Sequence, residues 1–231
     1  MNEFIYLSNF DSREISIQII KSFSILILNI SSQTTIYFIF SNNFLNQIIS
    51  RSYEKYDDEF VAYYISFIKS LSLKIDTTTI QFFFHRQYNT FPLMESALKF
   101  YNHHDSMIKT TVKNIFLTFI RCKKYIYLVK YEPIYEYLSS LPSISYFPFI
   151  SCNLRDLIIK LNDEVISDDS FKSLKDIHDE ILDLIMYIQD IFSLKIEKIN
   201  YILINCLLYY LVLPLLIGGI VSIAKVLILI I

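Results

Sequence analysis

Glycine is nearly absent from this chain, and that shortage limits the possible folds more than any other feature. Only two of the 231 residues are glycine, and they are neighbours, Gly218 and Gly219. β-Sandwiches and β-barrels need many tight turns of the kind that glycine favours, and phosphate-binding loops need clustered glycines. We therefore expect neither, and the sequence predicts α-helices joined by short polar connections.

Apolar residues recur every three or four positions near the N-terminus, which is the period of an α-helix. This spacing predicts a helix over residues 13–29, capped by the pair Asp11-Ser12 and buried on most sides. Two short helices are expected near 35–40 and 43–51. The first of them is rich in β-branched and aromatic residues, so a strand is the alternative there.

Two longer apolar stripes predict the central helices, over residues 62–75 and 106–121. The first stripe, after a run of three acids that favour a helix start, is Phe60, Tyr64, Ile68, Leu71 and Ile75. The second, after a cap at Asp105 or Ser106, is Ile108, Val112, Ile115 and Phe119. Long helices that alternate with short ones indicate an all-α, armadillo-like helical solenoid, although no strict repeat has a fixed period.

The second half of the chain carries one strongly amphipathic helix. It is expected to follow a cap at residues 168–170, with an apolar stripe that places His178 on the buried edge. The helix before it is expected over 154–166, after a less regular segment that contains Pro148 and two other prolines.

The stretch from Ala62 to Arg121 centres on the tripeptide Phe91-Pro92-Leu93. Pro92 is expected to be the first residue of a helix that runs through Tyr101, because a proline needs no backbone donor at that position. Residues 62–75 lie upstream of the tripeptide, and 98–109 lie downstream. In this order the segments closely resemble the FPL-domain family, which is named for the tripeptide. His104 stands where a proline is common in the family. We interpret the matched residues as a structural motif: Phe91, Pro92, Leu93, His103, Asp105, Ser106 and Met107.

The resemblance implies a cellular process rather than a chemistry. Family members act in endosomal transport and autophagy, and plant relatives act in Golgi and vacuolar transport. It therefore implies a non-enzymatic scaffold on the cytosolic face of endosomal, Golgi or lysosomal membranes, with protein partners from that machinery. By resemblance the FPL domain covers 1–122, and 123–231 begins the following helical region. Members extend beyond both ends of this sequence, so we expect a minimal member or part of a longer protein.

The residues themselves indicate no catalytic site, no cofactor and no metal site. The cluster His103-His104-Asp105 is the one candidate, but adjacent residues on a helix point about 100° apart, and no cysteine or further histidine is near in sequence. We interpret it as a turn between helices. No nucleophile elbow of the Gly-x-Ser-x-Gly type can form with neighbouring glycines. An enzyme whose site is assembled from scattered residues is the alternative.

Charge argues against two classes of partner. The formal net charge of −2 gives no basic excess for a nucleic acid, and no small-molecule substrate is indicated. A set of cations on and after the second central helix could face anionic lipid, but we favour a solvated surface because the total charge is balanced. These cations are Lys109, Lys113, Arg121, Lys123 and Lys124. The three widely spaced cysteines, Cys122, Cys152 and Cys206, fit reduced thiols in the cytosol.

The segment 199–231 is very apolar, and residues 199–224 contain no charge. A stretch of that length is a candidate to span a membrane, which would make the chain an integral membrane protein with one helix at about 201–224. Pro214 is expected to break that helix near its middle, and the glycine pair to stop it. We favour a solenoid helix covered by further repeats, with peripheral attachment to the membrane surface.

Overall fold

The computed structural model describes six stretches of the chain: 12–50, 57–76, 78–85, 87–126, 146–167 and 171–220. Within them every regular element is helical, and one isolated backbone bridge joins His85 to Thr90. The chain divides into two units, Met1–Tyr137 and Leu138–Ile231. The all-α prediction is confirmed, whereas the armadillo-like stacking and the domain boundary at 122 stay predictions.

The first helix, α1 (Arg13–Asn29), has the bounds that the sequence predicts. It begins after Ser12, whose hydroxyl accepts a hydrogen bond from the backbone N–H of Ile15. The expectation that α1 is buried on most sides is wrong, because Ile25 and Leu28 are 63% and 50% exposed. Only one stripe is buried: Ser16, Ile17, Ile19, Ile20, Phe23 and Ile27.

Two short helices follow, α2 (Gln33–Ser41) and α3 (Phe44–Ile49). The strand alternative for the first is wrong, although its composition favours strands. Its buried residues are Ile36, Ile39 and Phe40. Spacings of three and four residues put them on one face of a helix, whereas a strand would divide them between its two faces.

The fourth helix, α4 (Asp58–Ser72), carries the first four residues of the first predicted stripe, and Ile75 lies three residues beyond its end. Asp57 caps it, since one carboxylate oxygen accepts a hydrogen bond from the backbone N–H of Phe60 at 3.0 Å. All five residues of the stripe are buried, with at most 7% of their surface exposed. The sequence therefore predicted the core face of α4 correctly.

A 3₁₀ turn (Ile80–Phe83), α5 (Pro92–Leu98) and α6 (Ser106–Ile126) complete the described part of the first unit. α5 ends three residues before its predicted end, because the backbone continues in short turns with hydrogen bonds between residues three apart. All four residues of the second stripe are buried in α6. Since α4 packs against α1, α5 and α6, α4 and α6 are the central helices.

The second unit contains α7 (Phe147–Ser167), α8 (Phe171–Ser193) and α9 (Glu197–Ile220), and α7 packs against both of the others. α7 begins seven residues before the predicted start. Pro148 is its second residue, and a proline is tolerated in the first turn because that turn needs no backbone donor there. The predicted cap at 168–170 lies outside the described residues.

The buried face of α8 differs from the predicted one. His178 is not on a buried edge, because 57% of its side chain is exposed, and Ile185 is 46% exposed. The helix carries apolar residues on two adjacent faces, and the face with Tyr187 is the buried one. The Tyr187 hydroxyl lies 2.7 Å from the Tyr146 hydroxyl in the core, and burial raises the pKa of both groups.

Candidate functional site

The FPL tripeptide forms the start of α5. Pro92 is the first helical residue, as the sequence predicts, and Phe91 and Leu93 have no exposed surface. The Phe91 ring packs on Phe119 of α6 with 5.2 Å between ring centroids, and the Phe91 N–H donates to a carboxylate oxygen of Glu95 at 3.0 Å. The tripeptide thus combines a helix cap with core packing between α5 and α6.

One backbone carbonyl joins the tripeptide's helix to two others. The carbonyl oxygen of Ile49, at the end of α3, accepts a hydrogen bond from the Tyr64 hydroxyl of α4 at 2.8 Å. It accepts a second bond from the Ser96 hydroxyl of α5 at 3.2 Å. The last carbonyls of a helix have no partner inside that helix, and here two buried hydroxyls take that place.

The second part of the family motif forms the start of α6. Asp105 is the cap rather than Ser106, since one carboxylate oxygen of Asp105 accepts from the backbone N–H groups of Met107 at 2.7 Å and Ile108 at 3.3 Å. Met107, in contrast, is 77% exposed. Packing therefore accounts for Phe91 and Leu93, and capping accounts for Asp105, but neither accounts for the exposed Met107.

The turn between α5 and α6 places the side chains of His103 and His104 next to the carboxylate of Asp58. Nε2 of His104 lies 2.8 Å from one oxygen of Asp58, and Nε2 of His103 lies 3.4 Å from the other. The two rings are stacked, with centroids 4.3 Å apart and planes at 27°. Both residues lie in the turn between helices that the sequence predicts, where the 100° divergence of neighbouring side chains on a helix does not apply.

The three consecutive acids at the start of α4 have different partners: Asp57 and Glu59 pair with Arg13, and Asp58 contacts the two histidines. One guanidinium nitrogen of Arg13 lies 2.7 Å from a carboxylate oxygen of Asp57 and 2.7 Å from one of Glu59. The N–H of Phe60, together with Arg13, lowers the pKa of Asp57 below its ordinary value. Asp58, between these two acids, faces the histidines instead.

The predicted basic strip is only partly described. Lys109 and Lys113 are half-buried and Arg121 is exposed. Helix geometry places Lys109 and Arg121 about 120° apart around the axis and about 18 Å apart along it, so they do not share one face. The side chains of Lys123 and Lys124 lie outside the described residues. The solvated surface stays the prediction for these cations, with lipid contact as the alternative.

Helix α9 does not break at Pro214, and it continues through Gly218-Gly219 to Ile220. A π-helical turn, Leu208–Val212, comes directly before the proline. In a regular helix the N–H of residue 214 would donate to the carbonyl of Tyr210, but proline has no N–H. A guanidinium nitrogen of Arg155 on α7 donates to that carbonyl at 3.4 Å. The widened turn and this external donor let the helix continue.

α9 is long and apolar enough to cross a membrane, and within the described residues it is the single helix that is. Only 11% of its most apolar window is buried. Ile199, Leu203 and Cys206 form its buried side. The other sides expose large apolar residues, including Tyr201, Ile204, Tyr209, Leu216, Ile217 and Ile220. Coverage of these sides by further repeats stays a prediction.

Sequence reasoning missed two residues that the structure makes prominent. Asp58 was expected only to favour the start of a helix, and nothing in its neighbourhood indicates histidines 45 positions away. Arg155 was not singled out. The signal for Arg155 is indirect, since a proline inside a long apolar helix implies a carbonyl that needs another donor.

Comparisons with known proteins identify the family. Residues 1–120 match the FPL family, described as an uncharacterised conserved protein. Protein CLEC16A of Homo sapiens is 33% identical over 221 residues, which cover 93% of this chain and 20% of the human protein. The CLEC16A homolog of Caenorhabditis elegans is 35% identical over 184 residues, 78% of this chain and 20% of that protein.

The plant relative Protein TRANSPARENT TESTA 9 of Arabidopsis thaliana is 29% identical over 217 residues, 90% of this chain and 25% of that protein. The matched region is thus a fifth to a quarter of the length of these relatives. No solved structure matches the chain. The family model covers more than half of the sequence, which confirms the resemblance, and the chain belongs to the FPL family.

Proposed function

We propose that this chain is a non-enzymatic binding scaffold in endosomal or Golgi-to-lysosome (vacuolar) transport and in the regulation of autophagy. Membership of the FPL family is the observation that carries the proposal, because the resemblance implies that cellular process. The partners would be proteins of the transport machinery at the cytosolic face of endosomal, Golgi or lysosomal membranes.

Exposed apolar side chains of the second unit support a binding role. On α8 these are Leu182, Ile185 and Met186, of which Met186 is 63% exposed. Most sides of α9 are equally uncovered within the unit. Apolar patches larger than those of ordinary protein surfaces mark sites of contact with proteins or membranes. These exposed side chains support the proposed binding role of the second unit.

Attachment to the membrane is proposed to be peripheral, because a charged pair lies beside the middle of α9. Arg155 contacts the carbonyl of Tyr210 and pairs with Asp156 at 2.7 Å. Tyr210 is about 20 Å along a helix of about 36 Å, so a spanning α9 would hold this pair deep in a hydrocarbon core of about 30 Å. Charged side chains there cost about 3 kcal/mol or more each.

The cellular role is tested by deleting the gene in its source organism. Slower delivery of endocytosed cargo to the lysosome or vacuole and altered autophagic flux are expected, with rescue by the wild-type gene. Met186→Glu should rescue poorly, because it places a charge on the exposed apolar face. Lys175→Glu, at an exposed position on the same helix, is the matched control. Normal flux and normal delivery after deletion would contradict the proposed role.

The mode of attachment is tested by extracting native membranes with alkaline carbonate. Peripheral attachment predicts release of the protein into the soluble fraction. Replacing the charged pair by Arg155→Leu and Asp156→Leu removes the obstacle to insertion and should increase the retained fraction. Retention of the wild-type protein in the pellet would instead identify α9 as a membrane-spanning helix.

A further inference from the structure

We propose that Asp58, His103 and His104 form a binding site for a divalent transition-metal ion, with Zn²⁺ as the best fit. The site goes beyond the proposed transport function and does not depend on it. One ligand atom from each residue lies within 4.8 Å of the others. Two imidazoles and one carboxylate are a frequent set of protein ligands for zinc, which leaves a position for water.

The spacing of the ligand atoms is close to what a bound ion requires. Zinc bonds of about 2.0–2.2 Å with tetrahedral angles place neighbouring ligand atoms about 3.3 Å apart. Nε2 of His103 lies 3.4 Å from one carboxylate oxygen of Asp58, and Nε2 of His104 lies 2.8 Å from the other. His104 must therefore turn out of its stack with His103, so that both nitrogens and one carboxylate oxygen point at the ion. Its side chain is 72% exposed, so its stacking contact with His103 is the main packing that opposes the movement.

In the stacked pair, Nε2 of both His103 and His104 faces the Asp58 carboxylate. His103 is held in place, with its side chain only 12% exposed, its ring beside Phe100 and its Nδ1 accepting the backbone N–H of Asp105 at 3.1 Å. Arg13 occupies the neighbouring acids Asp57 and Glu59, which leaves the Asp58 carboxylate to the histidines. The burial of His103 beside Phe100 thus restrains one ligand in advance, and the open side is next to solvent.

The hydrogen bond to His103 sets a limit on affinity. Because Nδ1 accepts a proton from the Asp105 amide, the neutral ring carries its own proton on Nε2, where the metal would bind. On binding, that proton leaves Nε2, Nδ1 takes up a proton from water, and the amide turns to solvent. Losing one hydrogen bond weakens the site by about tenfold relative to a ring whose Nδ1 is already a donor.

A bound ion would join two parts of the first unit that are distant in sequence. Asp58 begins α4, and the histidines belong to the turn that precedes α6. The ion would fix that turn, and with it the exposed Met107 at the start of α6, which packing alone does not explain. The expected consequence is a Zn²⁺-dependent rise in the thermal stability of the unit.

The test is a Zn²⁺ titration of the full chain after treatment with a chelator, in competition with a chromophoric chelator. The wild-type chain is expected to bind one ion through this cluster. His104→Ala and His103→Ala should each weaken binding by at least tenfold, since loss of an outer-shell partner alone costs about 10–100-fold. His178→Ala is the control, because His178 is also exposed and beside an aspartate, Asp179.

Two further measurements, the melting temperature and the Co²⁺ absorption spectrum, test the alternatives. One alternative is a cluster (the hydrogen-bonded clasp) in which the histidines only hydrogen-bond to Asp58, and the other is metal binding at cysteines. Zn²⁺ should raise the melting temperature of the wild type but not that of His104→Ala. If the cluster is only a hydrogen-bonded clasp, His104→Ala changes the melting temperature equally with and without Zn²⁺, and the proposal fails. It also fails if Zn²⁺ does not bind, or if Co²⁺ gives a thiolate charge-transfer band, which would place the ion on cysteines.

Discussion

The contact between Arg155 and the Tyr210 carbonyl gives a sharp prediction, because it depends on Pro214. The proline cannot donate to that carbonyl, and Arg155 does so from α7. Pro214→Ala restores the missing N–H and should make the arginine dispensable. Arg155→Met should therefore destabilise α9 in the wild-type background and have little effect in the Pro214→Ala background.

The expected energies follow from the geometry. A hydrogen bond from a charged donor contributes about 1.5–3 kcal/mol when well formed. The observed 3.4 Å is long and the Arg155 side chain is 27% exposed, so we expect about 0.5–1 kcal/mol. Pro214→Ala alone should stabilise α9 by about 1–3 kcal/mol, less than the full helix-interior cost of proline because the π-helical turn already relieves the clash.

The assay is hydrogen exchange of the α9 amides, followed by mass spectrometry in all four members of the double-mutant cycle. Exchange reports the free energy of local opening in that helix. Loss of the ion pair between Arg155 and Asp156 affects both backgrounds equally and cancels in the cycle. Asp156→Asn is the control and should show no coupling to Pro214→Ala. An equal effect of Arg155→Met in both backgrounds would refute the role assigned to the carbonyl.

Three other predictions concern the first unit. Phe91→Ala should lower the free energy of unfolding by about 3–5 kcal/mol, and Met107→Ala by less than about 0.5 kcal/mol, measured by urea titration with circular dichroism at 222 nm. Ile115→Asp should cost about 4 kcal/mol or more, because it buries an unpaired charge; a helical spectrum and midpoint like the wild type would contradict the assigned core. Burial raises the pKa of Asp76, but hydrogen bonds from Thr78 and Thr79 outweigh it and lower the pKa overall. The ionised form therefore stabilises the fold above the ordinary pKa, and this stabilisation is lost as the pH falls through the lowered value. Stability should decrease below about pH 4 in the wild type and less steeply in Asp76→Asn, followed by thermal melts across that range.

Local signals in the sequence were sufficient for the first unit's main helices. The cap at Ser12 gave the first residue of α1, and the period of the stripe from Phe60 to Leu71 gave the buried face of α4. Pro92 marked the start of α5. These predictions succeeded because each depends on neighbours within one or two turns.

Features that depend on distant partners could not be predicted in the same way. The buried face of α8 was wrong at His178 because two adjacent faces are apolar, and only the contact with α7 selects between them. Helical geometry argued against the histidine cluster, and its third member is 45 residues upstream at Asp58. The continuation of α9 through Pro214 depends on a donor from another helix.

The shared carbonyl of Ile49 has a consequence for how the first unit opens. Both of its lone-pair positions are used, one by Tyr64 and one by Ser96, so α3, α4 and α5 meet at a single acceptor. If α3 moved away, the buried hydroxyls of Tyr64 and Ser96 would both lose their acceptor at the same time. Each unpaired buried hydroxyl raises the free energy of the opened state. The three helices should therefore exchange their amide hydrogens as one foldon. The FPL tripeptide at the start of α5 lies within that foldon. We therefore expect its three residues to oppose local opening of α3, α4 and α5.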